Sequence, residues 1–144
     1  MTVLKFLLIN TVAVVLMTGF SYLISHVLNV NFSEPNRLKQ LVNRASIIKK
    51  SDFGIWIGWC LHFAIGLVFL LGYFLFKNII HVVSEFLYAL VFGFSAGLFG
   101  AMGWKLMFTI HDNPPKLPKF PFYIQLVGAH IVFSETVAAM LQIV

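Results

Sequence analysis

Three titratable side chains stand in the middle of long apolar runs: His62, His130 and Glu135. An ionisable group placed in hydrocarbon is expensive and usually faces a bundle interior or a water-filled cavity. His62 falls eight residues after Gly54, and His130 nine after Pro121. If both runs are helices starting from the same side, the imidazoles sit at similar depth, about 12–14 Å in. A small residue follows each histidine four places on, Gly66 and Ser134. Small residues there let another helix or a flat ligand come close. Two imidazoles from two helices match the ligand set of a bis-histidine haem, or part of a transition-metal site. Ser134 and Tyr73 are poor further ligands for a metal, so haem is the cofactor this pattern favours and no metal site is assigned. The competing reading is that each histidine bonds a carbonyl or hydroxyl and joins helices. Glu135 lies about 140° around the helix from His130, on a different face. There it is a candidate proton or ion carrier, or part of a subunit contact.

Other chemistry is missing from the sequence. It contains no P-loop, H-E-x-x-H helix, G-x-S-x-G elbow or zinc-type cysteine spacing, so no catalytic residue is assigned. Its one cysteine, Cys60, excludes an intrachain disulfide.

The elements that must position these groups follow from composition. Of 144 residues, 60% are hydrophobic and 10% charged. Soluble domains average roughly 25% charged, so lipid must solvate most of this surface. Four apolar runs, at about 6–30, 54–76, 82–110 and 121–143, each exceed the roughly 20 residues that cross a ~30 Å core. Helices are expected, because backbone groups in lipid must be satisfied within the segment. The first run is long and lacks a cleavage site, so it reads as an uncleaved span and not a signal peptide. The expected fold is therefore all-α: one integral membrane domain, 1–144, built as a four-span transmembrane helix bundle.

Net charge is +5. The basic residues flank apolar runs, which points to topology and away from nucleic acid. Eight of the ten Lys and Arg fall in or beside the first and third connections, at 31–53 and 111–120. Lys5 and Lys77 are the other two. The positive-inside rule puts both basic connections in the cytoplasm and both termini outside it. Pro35 and the pair Pro114 and Pro115 mark helix ends there. Residues 36–50 pattern as an amphipathic helix on the membrane surface, with Leu38, Leu41, Val42 and Ala45 on one face.

Span three carries Gly93, Gly97, Gly100 and Gly103, a small-residue face suited to close helix packing within the chain or against a second copy. In span one Asn10, Thr18, Ser21 and Ser25 fall within about 80° of one another, a stripe suited to interhelical hydrogen bonds. Each half of the chain reads as span, proline loop, span with a central histidine, then a small residue. This pattern is compatible with two parallel two-helix repeats.

The strings from Gly58 to Gly66, Gly103 to Pro115 and Gln125 to Phe133, with the Asn31-Phe-Ser-Glu-Pro35 loop, resemble a group of small four-helix bacterial inner-membrane proteins. That resemblance implies a bacterial inner membrane and four helices, and brings no activity with it.

Three functions are carried forward. The first is a non-enzymatic structural or accessory membrane protein, packed through glycines against itself or a partner. The second is a small-molecule or ion transporter using Glu135. The third is a haem or metal-binding membrane protein using His62 and His130.

Overall fold

A computed structural model describes residues 2–45, 53–79 and 84–143. These residues form five helices: α1 (Val3–Leu28), α2 (Glu34–Arg44), α3 (Ile55–Ile79), α4 (Glu85–Ile110) and α5 (Lys119–Ile143). All but α2 are long and apolar enough to cross a membrane. At 1.5 Å per residue each runs about 38 Å, beyond the ~30 Å hydrocarbon core. The chain is a multi-pass membrane protein with an all-α, four-span bundle, and large apolar side chains such as Val68, Leu75 and Phe99 face outward to lipid.

Local chemistry sets the helix ends. Thr2 and Ser84 cap α1 and α4 by accepting from the amides of Lys5 and Leu87. Asn29 ends α1 in the left-handed region at φ 53°, with Val30 N–H returning to the Ser25 carbonyl. The chain then folds back. The Ser25 hydroxyl accepts from Phe32 N–H at 2.8 Å, the Asn31 side chain accepts from Ser33 N–H, and Pro35 opens α2.

Helix α2 departs from its expected place. Its first turns lie inside the bundle: Glu34, Pro35, Arg37, Leu38 and Leu41 are buried. A surface amphipathic helix would keep its charged residues in water, whereas this one sinks an acid and an arginine. It is also shorter than expected, ending at Arg44, and 46–50 lie outside the described residues. Gly58 makes the docking possible, because a Cβ there would overlap the Pro35 carbonyl.

Around the bundle, α4 packs along α5, α5 along α1, and α1 against α3. The α3–α4 seam barely closes. At one end α2 fills the seam: Leu38 and Leu41 join Phe32, Trp104, Phe108, Phe122 and Leu126 in one cluster. Trp104 is therefore part of the core. At the other end Tyr73 meets both Tyr88 and Phe92 edge to face, Tyr88 Oη donates to the Tyr73 carbonyl at 2.7 Å, and Lys77 pairs with Glu85.

The glycine face of α4 meets α5 of the same chain. A Cβ on Gly97 would lie 2.6 Å from Val127 Cα, and one on Gly93 2.7 Å from Ile131 Cα. Gly100 lies under the His130 ring. Gly103 does not pack; a Cβ there meets nothing within 4 Å. Gly97→Leu should accordingly destabilise the protein by about 1–3 kcal/mol or more, since backbones must part. Gly103→Leu should leave stability nearly unchanged. Melting temperature and elution volume in detergent check both, and equal behaviour of the two variants would refute the assignment of the α4–α5 contact.

Candidate functional site

Met17 of α1, Glu34 and Leu38 of α2, His62 and Gly66 of α3, Gly100 and Gly103 of α4 and His130 of α5 line a partly open cavity of about 220 Å³. All five helices contribute. Both histidines and one carboxyl therefore line a single space inside the bundle. His62 lies about 10 Å along α3 from Ile55 and His130 about 16 Å along α5 from Lys119, and both reach the same space.

Each imidazole has one nitrogen engaged. His130 Nδ1 lies 2.8 Å from the Leu126 carbonyl oxygen. A carbonyl only accepts, so Nδ1 carries the proton and Nε2 of the neutral ring is an acceptor. His62 Nε2 lies 3.1 Å from Thr18 Oγ1. The Thr18 hydroxyl spends its proton on the Val14 carbonyl at 2.8 Å, so His62 Nε2 donates and Nδ1 is the free acceptor. Neither remaining nitrogen has a hydrogen-bond partner among the described residues. Phe69 stands edge-on to His130 with ring centroids 4.7 Å apart.

Glu34 is the group sequence reasoning missed. It is 2% exposed, and no ion pair reaches it among the described residues. Its Oε1 accepts from the Ser21 hydroxyl at 2.7 Å and the Gln125 amide at 3.1 Å. Its Oε2 is buried with no hydrogen-bond partner, as is Gln125 Oε1. Burial pushes the carboxyl up to about 7, against the opposing pull of the Ser21 and Gln125 hydrogen bonds. Near neutral pH the carboxyl is thus poised between an acceptor and an O–H donor. The available signal was Gln125, a lone amide inside span four, together with Ser21 on the polar stripe of span one.

That stripe makes contacts beyond its own helix at every position. Asn10 Nδ2 donates to the Phe63 carbonyl, Thr18 meets His62, Ser21 meets Glu34, and Ser25 holds Phe32 N–H. Ser134 donates to the Ala89 carbonyl at 2.7 Å, bridging α5 to α4, and does not line the cavity. Glu135 is half-buried and also lies away from the cavity, so the structure does not bring it together with the histidines.

The site does not fit a bis-histidine haem. With about 220 Å³ the cavity is too small for a porphyrin macrocycle, though not for a molecule of a few heavy atoms. His62 Nε2 is committed to Thr18, and His130 Nε2 abuts Gly100. Among the described residues no three His, Cys, Asp or Glu side chains gather closely enough to hold a metal ion. No family model matches this chain, and no curated protein or solved structure gives a significant match.

The buried carboxyl predicts a pH dependence. Its folded value, about 7, lies above the ordinary 4.5. Between those values the folded state holds a proton that the unfolded state has lost, so stability falls as pH rises through that window and then levels off. In detergent the wild-type melting temperature should drop from about pH 4.5 to about pH 7, whereas Glu34→Gln should melt with a flatter profile. Equal slopes for the two proteins would show that Glu34 is not the titrating group.

Proposed function

We propose that this protein binds a small molecule carrying hydrogen-bond donors inside the membrane, at Glu34, His62 and His130. One observation carries the reading: the cavity is lined by two histidines whose remaining ring nitrogens have no protein partner, and by Glu34, whose buried Oε2 has none either. A buried polar group left unpaired costs free energy, in lipid more than elsewhere, and such groups call for an explanation. A ligand hydroxyl or amine supplies the missing donors. If the protein is a transporter, Glu34 is better placed than Glu135 to be its titratable centre, because Glu34 faces the cavity.

A structural or accessory role, alone or as a homo-oligomer, is the second reading. It is favoured by the open α3–α4 seam, a face that a partner helix would close.

The location belongs to the same proposal. The cavity sits in the half of the bundle nearest α2, and the basic connections are on that side. We place that side in the cytoplasm of a bacterial inner membrane, with both termini outside. Arg37 is buried and hydrogen-bonded to Gln40 Oε1 and the Asn31 carbonyl, so it counts as structure and not as a topology signal. Without it the remaining basic residues still fall mainly on the α2 side.

Two measurements test these proposals. Reporter fusions after Asn43 and after Val144 should report opposite compartments; the same compartment for both would refute the four-span orientation. Catechol is small, carries two hydroxyl donors and has a dimethyl ether that carries none. Calorimetry should show catechol binding to the detergent-purified protein, no binding of the ether, and loss of catechol binding in Gly103→Leu, which fills the cavity. Binding unaffected by Gly103→Leu, or equal for catechol and ether, would overturn the donor-binding reading.

A further inference from the structure

The open seam between α3 and α4 holds a second space, a lateral groove of about 600 Å³ lined almost wholly by apolar side chains, among them Val68, Phe76 and Val91. Along α4 it runs from Leu87 to Phe99, about 18 Å, slightly more than half the ~30 Å hydrocarbon core. The groove and the polar cavity are continuous in their walls: Phe69 from α3 and Phe99 from α4 line both. Phe69 thus stands between the groove and the cavity, with Phe99 at the lipid-facing rim of both.

We propose that the two spaces take one amphipathic molecule of the bilayer, drawn in sideways between α3 and α4, with a hydroxyl-bearing head in the cavity and a single hydrocarbon chain in the groove. This rests on the donor-binding reading of the cavity and adds the ligand's class and route. Three observations select such a molecule. The head must donate, because His130 Nε2 and His62 Nδ1 accept. Glu34, 2% exposed with Oε2 unpartnered, adds a further buried site for a head-group hydroxyl. An anionic or zwitterionic head would leave its negative group without a counter-ion, since the described residues place no Lys or Arg on the cavity wall. The chain must be apolar and unbranched enough to lie along the groove. The plug of α2 and the aromatic clasp at Tyr73, Tyr88 and Phe92 close the seam above and below, so the side facing lipid is the way in.

The test uses a hexadecanol carrying a photoactivatable diazirine in its chain, with the corresponding hexadecane as control, in phosphatidylcholine vesicles holding the full chain. Peptide mapping should find hexadecanol labels at Val91 and Ser95. In Gly72→Phe and in Gly103→Leu that labelling should fall to the hexadecane level. Gly72 lies in the groove, and a Cβ there meets only Phe92 at 3.7 Å, so the variant obstructs the tail and leaves the cavity intact. Val91→Trp, on the exposed rim, obstructs the same groove should Gly72→Phe not fold. Catechol binding should survive both groove variants. If catechol binds and depends on Gly103 but hexadecanol labelling ignores the groove variants, the lateral route is overturned and the cavity reading stands. If catechol does not bind the wild type, both fall. If the wild type cross-links to a second copy and Gly72→Phe restores a monomer without changing hexadecanol labelling, a subunit covers the groove and the inference is overturned.

Discussion

The buried Glu34 carboxyl is the constraint around which this bundle is organised. An acid cannot enter the interior without hydrogen bonds, and the two it receives come from Ser21 on α1 and Gln125 on α5. To deliver it there, the chain must reverse after Asn29, bury Phe32 against Phe122 and start α2 inside the helix ends. Gly58 then has to lack a side chain so that α3 can accept the Pro35 backbone. Four elements are thus adjusted to one carboxyl. Its second oxygen is left without a partner, and that is why the proposed site is built on the same group that fastens the helices.

The weak α3–α4 seam follows from how the remaining polar groups are spent. Ser134 and the glycines of α4 commit that helix to α5, while Asn10 and Thr18 commit α1 to α3. In lipid no hydrophobic force closes the last interface, because hydrocarbon tails solvate apolar side chains as well as a neighbouring helix does. An interface without interhelical hydrogen bonds along its middle therefore stays open. Only its ends are held, by α2 on one side and by the tyrosine pair on the other.

Histidine chemistry here depends on neighbours that are not titratable. Thr18 directs its proton to its own helix, and that choice turns His62 Nδ1 into an acceptor. The Leu126 carbonyl does the same for His130 Nε2. Two residues of the same type, reached from two helices, consequently offer the same hydrogen-bonding sense to the space between them. The rest of the cavity wall is mostly apolar, with side chains such as Met17, Leu38, Trp104 and Phe133 around the two imidazoles.

Hydropathy alone determined the membrane class and the helical, four-span architecture, because the length of an apolar run and the cost of unsatisfied backbone in lipid leave little choice. The polar stripe on α1 and the glycine face on α4 were also legible, since helical periodicity decides which residues share a face. Periodicity does not decide which neighbour that face meets. Whether the glycines serve α5 or a second copy, and whether His62 and His130 share a space, depended on how the helices are arranged around the bundle. The fate of Glu34 was further from view. In the sequence it is an acid in a polar, proline-bearing connection, where water is the ordinary solvent. Only the reversal at Asn29 and the gap beside Gly58 carry it inside, and both are consequences of contacts between residues far apart in the chain.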